Sequence, residues 1–208
     1  MMEIVCRCRH RLPAILVAIA LLLPGCTRSR PVAYYQLTAI DAEQTVVESA
    51  TTADLGIGLG PVRLPEMLDR PQIVIRSGAN RMEVIDGRRW IEPPADNISR
   101  VLRENLAVLL ATERIVAYPW NRTAAFEYQI SIEILRFEGQ GVREAQLEAV
   151  WSVRDRQGKS LVPDRRDRFQ VPSASPDYEG LVRALSETLS QLCREISREI
   201  RNLPATGQ

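Results

Sequence analysis

The sequence alternates apolar and polar side chains most regularly at residues 128–134, which read Tyr-Gln-Ile-Ser-Ile-Glu-Ile. The next stretch repeats this alternation with Leu147, Ala149, Trp151 and Val153. Strict alternation is typical of a β-strand with one buried face. Glycines at 139 and 141 supply a turn between the two stretches. The segment therefore predicts a pair of antiparallel strands, each with one face in contact with water.

Shorter patterns on either side of this pair predict the other elements. Further strands are predicted at 34–37, 55–64, 72–76, 81–85, 115–118 and 165–171, with a hairpin loop at 77–80. One helix, capped by Asp96 or Asn97, is predicted to end near Leu110, and a second to run from about Asp177 to Asn202. We expect a single α/β domain, in which two main helices cover a mixed, mostly antiparallel sheet of about six or seven strands.

The strand predicted at 55–64 has glycine at every second position, at Gly56, Gly58 and Gly60. A nucleotide-binding loop with this spacing needs a helix directly after it. Pro61 and further strand-like sequence follow instead. We therefore predict a strand whose glycine face is closely approached by another part of the chain.

The N-terminus combines basic residues, a short apolar run and a cysteine. Arg7, Arg9 and Arg11 precede the apolar run 12–23, which is shorter than the roughly 20 residues that span a bilayer. This arrangement is typical of a secretory signal peptide. The run ends in Leu-Pro-Gly-Cys at 23–26. This ending resembles a lipobox, where the cysteine thiol receives a diacylglycerol and becomes the new N-terminus.

These features predict how the chain is divided. We expect a lipoprotein signal peptide at 1–25, lipidation of Cys26, a lipid-anchored tether at 26–33 and a periplasmic domain at 34–208. The alternative is an ordinary secretory signal in which the cysteine is accidental.

Composition argues against several classes of function. His10, the only histidine, lies in the predicted signal peptide. The remainder lacks the base that serine and cysteine hydrolases need and the ligands that zinc needs. We therefore predict no catalytic residue of these hydrolase types and no metal site. We also expect no cofactor, and the expectation that the chain is not an enzyme comes from the family resemblance given below. Residues 1–25 carry three Arg and one Glu, which leaves 24 basic and 25 acidic residues and a net charge of −1. Such a chain is not expected to bind nucleic acid.

A cysteine and a pair of glutamates are the remaining candidates for catalysis. Cys193, flanked by leucines at helical spacing, is expected to be a buried apolar residue rather than a reactive thiol. A carboxylate enzyme that uses Glu133 and Glu148 would need both groups to face each other across one cleft.

Three segments are candidates for binding a partner. In the segment 64–71, two prolines pre-order the chain and lower the entropy lost on binding, although a rigid connection between strands explains them equally well. The candidate residues there are Leu64, Pro65, Leu68, Asp69, Arg70 and Pro71. Arg89 and Trp90 form a second candidate. The alternative places Trp90 in the core, with Arg89 paired to Glu92 or Asp86. Trp120 is the third candidate and the one expected to be better exposed.

Residues 154–168 are dense in charges of both signs. The charged residues are Arg154, Asp155, Arg156, Asp164, Arg165, Arg166, Asp167 and Arg168. Such a run could bind an acidic partner surface or lipid headgroups. It could also be a solvated hairpin edge that discourages aggregation between strands.

A series of short motifs follows the order of a known family. They are Tyr34-Tyr35-x-Leu37, Gly58-Leu59-Gly60-Pro61-Val62-x-Leu64-Pro65, Leu68-Asp69-Arg70-Pro71-Gln72-Ile73-Val74, Arg89-Trp90-x-Glu92-Pro93, Val101-Leu102-x-Glu104-Asn105-Leu106, Tyr118-Pro119-Trp120, Arg136-Phe137 and Leu185-Ser186. With these motifs the chain resembles the PqiC-like ABC-type transport auxiliary lipoproteins over essentially all of the sequence after Cys26. The chain departs from the family pattern at Pro94, and the lipobox proline Pro24 is also unusual.

The resemblance implies a non-catalytic accessory lipoprotein in the inner leaflet of the outer membrane. Thr27 agrees with that location, because an inner-membrane lipoprotein often carries Asp there. The partner implied is a periplasmic MCE (mammalian cell entry) domain protein of a lipid transport system. A homo-oligomer is a further expectation, although no residue of this chain specifies one. The alternative function is a periplasmic lipid carrier with an apolar cavity.

Overall fold

The computed structural model describes residues 31–42, 55–121 and 124–203. The predicted signal peptide, Cys26 and most of the tether lie outside these residues. Val32–Gln208 forms one compact unit. No helix within the described ranges is long and apolar enough to cross a membrane.

The described residues form eight strands and two helices. The strands are β1 (Ala33–Tyr35), β2 (Ile57–Arg63), β3 (Gln72–Gly78), β4 (Arg81–Trp90), β5 (Ile115–Ala117), β6 (Tyr128–Gln140), β7 (Glu144–Asp155) and β8 (Ser160–Pro172). The helices are α1 (Pro94–Leu110) and α2 (Tyr178–Asn202). The predicted hairpin is present as β3 and β4, with longer strands and a tighter turn than expected.

All eight strands belong to one sheet, and β6 is its central element. β7 pairs antiparallel along the whole of β6, and β8 pairs antiparallel with β7. On the other edge of β6, β2 runs parallel to the first half and β3 runs parallel to the last two residues. The sheet continues from β2 to β5 and from β3 through β4 to β1.

The α/β class, the mixed sheet and the two main helices are confirmed, but two details of the prediction were wrong. The sheet has eight strands rather than six or seven, and it is not mostly antiparallel. The pairings β1–β4, β2–β5, β2–β6 and β3–β6 are all parallel. The physical reason is that alternation reports which face of a strand is buried. It carries no information on the direction of the neighbouring strand, which depends on connections such as the one through α1.

The hydrophobic core lies between the inner face of the sheet and the two helices. The alternating residues of β6 and β7 form the floor, and Trp151 donates a hydrogen bond from Nε1 to Asp167 of β8 at 2.8 Å. The predicted apolar stripe of α2 is buried throughout: Leu181, Leu185, Leu189, Leu192, Ile196 and Ile200. Burial of each such side chain stabilises the fold by roughly 1.5–3 kcal/mol.

The predicted glycine strand is present as β2. A Cβ atom on Gly58 would lie 3.0 Å from the ring of Phe126, so this ring closes over the glycine face. Gly60 has φ +123°, a left-handed conformation that favours glycine. The nucleotide-loop alternative therefore does not apply, because β2 forms ladders with β5 and β6 instead of opening a helix.

Candidate partner-binding site

The structure brings two of the predicted segments together into one open pocket of about 360 Å³. We call it the proline pocket. Its lining residues are Asp69, Arg70, Pro71, Trp90, Ile91, Glu92, Pro93 and Pro94. One wall comes from the connection between β2 and β3, and the other from the end of β4 and the start of α1.

A compact turn shapes the first wall. The backbone N–H of Leu68 donates to the carbonyl of Pro65 at 2.8 Å, and the Leu68 side chain is buried in the core. Leu64 and Pro65 are half-buried supports, whereas Met67 is half exposed at the tip of the turn. The segment 64–71 is therefore a rigid connection that also has exposed side chains, and its role in binding a partner stays a prediction.

Backbone contacts tie the second wall to the first. The N–H of Trp90 donates to the carbonyl of Pro71 at 2.7 Å. Helix α1 begins with Pro94 after Pro93, without a side-chain cap of its own. Instead, the carboxylate of Asp69 accepts from the N–H of Ala95 at 3.4 Å. This contact links the two walls of the pocket, and the negative charge of Asp69 is favourable at the N-terminus of the helix.

The capping role predicted for Asp96 or Asn97 was wrong. Both residues lie inside α1, and the Asn97 side chain is fully buried. Proline favours the first helical position because its missing N–H would have no partner there. This preference starts the helix earlier than the cap signal indicated.

Charged groups close one end of the pocket. Glu92 pairs with Arg100 of α1 at 2.9 Å rather than with Arg89. Burial alone would lower the pKa of Arg100, but its hydrogen bond to Glu92 and the charges of Glu104 and Glu92 raise it, so the guanidinium remains charged. Arg70 contributes a buried Nε atom without a hydrogen-bond partner.

The remaining predicted residues divide between core and surface. Trp90 is only 8% exposed and belongs to the core, as the alternative interpretation held, with one edge at the pocket. Arg89 is exposed on β4 but does not line the pocket. Trp120 lies elsewhere and is half-buried between Tyr118 and Phe126, with ring centroids 5.4 Å and 4.9 Å away. Trp120 is therefore more exposed than Trp90, as the sequence predicted, and its role in binding a partner stays a prediction.

Four lining residues were missing from the predicted site, namely Ile91, Glu92, Pro93 and Pro94. Ile91 is 58% exposed, one of the largest apolar exposures among the described residues. A signal for it was present, because an apolar residue trapped between Trp90 and two prolines cannot enter a regular helix. Exposed apolar side chains beside a pre-ordered pocket are typical anchors for a protein partner.

A second feature missed from the sequence is the strap, which we define as residues 37–40. Side chains of α1 and α2 hold its backbone. Asn97 accepts from the N–H of Leu37 at 3.3 Å, and Asn105 accepts from the N–H of Ile40 at 2.8 Å. On the other helix, Ser186 accepts from the N–H of Thr38 at 3.1 Å. The strap thus fixes the segment that follows the predicted tether onto both helices.

Two of the groups considered for chemistry, Glu148 and Cys193, are buried in the fold, whereas Glu133 is exposed on β6. The buried carboxylate of Glu148 is bound by Arg136, Arg166 and Arg168. Burial raises the pKa of the Cys193 thiol to about 12. No cluster of three or more His, Cys, Asp or Glu side chains suited to a metal ion occurs within the described part of the chain.

Comparison with known proteins is informative about family and fold. Residues 35–197 match the model of a family described as ABC-type transport auxiliary lipoprotein component. No curated protein sequence matches the chain significantly.

Solved structures share the fold at low sequence identity. The crystal structure of an uncharacterized protein has a TM-score of 0.67 at 17% identity, with 82% of this chain and 99% of that chain covered. Protein XCC0632 from Xanthomonas campestris has a TM-score of 0.64 at 17% identity, with 80% of this chain and 93% of that chain covered. A PelC dodecamer from Paraburkholderia phytofirmans has a TM-score of 0.45 at 13% identity, covering 75% of this chain and 95% of that chain. That similarity is too weak to bear on this chain.

Proposed function

Because this chain belongs to the ABC-type transport auxiliary lipoprotein family, we propose that it is the outer-membrane-anchored accessory subunit of an MCE-type lipid transport system. In this role the lipid on Cys26 holds the protein at the periplasmic face of the membrane. The folded domain then docks the periplasmic MCE-domain protein. The chain acts by tethering and catalyses no reaction.

The proline pocket is the observation that supports docking. It is formed by two segments about twenty residues apart in sequence, and backbone hydrogen bonds join them. Prolines restrict both walls, so a partner that binds there loses little conformational entropy of this surface. Ile91 and Met67 offer exposed apolar area beside it.

The packing of the interior favours a tether over a carrier. A carrier needs space for acyl chains between sheet and helices. In this chain that space is filled by fully buried side chains, among them Leu102, Leu106 and Leu189. The proline pocket itself is open and small compared with a phospholipid.

Site-specific crosslinking in the native envelope tests the docking surface. A photoreactive amino acid replaces Ile91 in the full-length, lipidated protein, and a matched control carries it at Val84 of β4, which is 42% exposed and outside the pocket. We expect an MCE-domain protein to be crosslinked from position 91 and not from position 84. Equal crosslinking from both positions would refute the pocket as the docking site. Recovery of phospholipid without an MCE-domain protein would favour the carrier.

Membrane fractionation tests the anchor. The full-length protein should separate with the outer membrane, and the C26S variant should lose this association. If the C26S variant stays in the outer-membrane fraction, lipidation of Cys26 is not what anchors the protein.

A further inference from the structure

Three arginines converge on one buried carboxylate on the outer face of the sheet, opposite the helices. The Glu148 side chain is only 3% exposed. Arg166 donates from Nε to its Oε1 at 2.7 Å, and Arg168 donates from Nη2 to its Oε2 at 3.0 Å. Arg136 Nε lies 3.5 Å from the same Oε2. We call these three arginines the outer arginine cluster.

The register of the strands places the cluster in two neighbouring rows of the same face. Arg136 of β6 and Arg168 of β8 flank Glu148 of β7 directly, and Arg166 is two residues before Arg168 on the same face. The backbones of Arg136 and Arg168 are therefore two strand spacings apart, about 9.6 Å, and those of Arg166 and Arg168 are two residues apart, about 6.6 Å, while all three side chains converge on Glu148. The three side chains are 44–66% exposed, so the N–H groups that do not contact Glu148 point towards solvent.

The cluster carries an excess of positive charge. Burial by itself would raise the pKa of Glu148. The hydrogen bonds from Arg166 and Arg168 lower this pKa by more than burial raises it, so the carboxylate stays ionised. One negative charge against three positive ones leaves a net charge of +2.

Two neighbouring acidic groups are engaged elsewhere. Glu138 pairs with Arg76 at 2.6 Å, and Asp167 faces the core, where it accepts from Trp151. Two other acids are near this part of the face: Glu133, in the row of Val150 and Arg166, and Asp164, two residues before Arg166. Both line an open pocket together with Arg63 and Arg154, so two further arginines accompany them. The excess charge of the cluster is therefore presented outward.

We propose that the outer arginine cluster binds phosphate groups of anionic phospholipids, so that the outer face of β6, β7 and β8 rests against a bilayer surface. The guanidinium fork matches phosphate oxygens in a bidentate way. Glu148 already orders the arginine side chains, which lowers the entropy cost of binding.

Charge complementarity alone would suit an acidic protein as well as an anionic bilayer. Membership of a lipoprotein family favours the bilayer. A lipoprotein is held at a membrane. With the proposed anchor at Cys26, the chain between that residue and the start of β1 at Ala33 reaches at most about 25 Å when fully extended. A bilayer surface is then always within reach of the domain. The proposal relies on the proposed function for this proximity, whereas the binding itself depends only on the strand face.

Vesicle sedimentation tests the proposal without the lipid anchor. The protein used starts at residue 26 and carries C26S, because the compact unit begins at Val32. The probes are vesicles of phosphatidylcholine alone and of an equal mixture with phosphatidylglycerol. We expect binding to the mixed vesicles only, weakened by added salt. The variant R166Q/R168Q removes the net positive charge of the cluster. Because each arginine near an anionic surface strengthens binding about fivefold, we expect the affinity for the mixed vesicles to fall about 25-fold.

The matched control is R183Q/R198Q, which removes the same charge from the exposed side of α2. It should bind the mixed vesicles as the parent protein does. If the double cluster variant fails to fold, R168Q alone removes a single contact to Glu148 and should still weaken binding about fivefold.

Three results would overturn the proposal. The first is equal binding of the parent protein to both kinds of vesicle. The second is an equal loss of binding in the cluster variant and the control variant. The third is tighter binding to polyglutamate than to vesicles, which would assign the cluster to an acidic protein. Because this assay contains neither a lipidated cysteine nor an MCE-domain protein, failure of the proposed function would leave its outcome unchanged.

Discussion

Replacing Asn105 with alanine should release the strap from α1. The Asn105 side chain is fully buried, and its oxygen is the acceptor for the N–H of Ile40 at 2.8 Å. N105A leaves this N–H without a partner, which costs about 1–3 kcal/mol. Alanine is favoured over asparagine within a helix by up to about 0.7 kcal/mol. The difference predicts a net loss of about 1.5 kcal/mol in the free energy of unfolding.

Urea unfolding and amide hydrogen exchange measure the two consequences separately. The free energy of unfolding reports the global cost, and the exchange rate of a peptide covering residues 31–42 reports release of the strap. The matched control is N202A, since Asn202 is exposed at the end of α2. We expect faster exchange in the strap of N105A and no change in N202A. A loss below about 0.5 kcal/mol together with unchanged strap exchange would refute the reasoning, because surface substitutions give effects of that size.

Three further predictions concern the core, the buried carboxylate and the thiol. L102A removes a fully buried side chain of α1 and should lower the free energy of unfolding by about 2–5 kcal/mol in urea titrations; a smaller loss than 1 kcal/mol would show that the core is looser than described. The hydrogen bonds from Arg166 and Arg168 hold the pKa of Glu148 below its ordinary value, so its contribution is present at neutral pH and is lost as the pH falls through the folded-state pKa. Thermal melts between neutral and acidic pH should therefore fall less steeply for E148Q than for the parent protein, and parallel curves would contradict this account. The pKa of about 12 and the full burial of Cys193 predict that iodoacetamide modifies this thiol only after urea is added, whereas rapid labelling of the folded protein would disprove the burial.

The strands and helices could be predicted from the sequence because the spacing of apolar residues depends only on the local backbone conformation. The alternation at 128–134 identifies β6, and the stripe of leucines and isoleucines identifies α2, since side chains repeat every second residue in a strand and about every 3.6 in a helix. The lipobox-like ending, the lack of histidine after residue 10 and the ordered motifs are likewise properties of the sequence itself. They were enough to indicate the lipoprotein family that the match over residues 35–197 then established.

The tertiary structure decided which distant residues meet. Strand direction depends on the path of the connections, so four parallel pairings could not be inferred from alternation. The proline pocket, the strap and the outer arginine cluster each join residues from at least two elements. Asn97 and Asn105 are unremarkable in a helical sequence, and Glu148 is one polar residue among several in a strand. Their roles arise from burial and from partners up to 65 positions away, as with Ile40 and Asn105. A sequence states which groups are available, whereas the energy of a buried polar group depends on the partner that folding brings to it.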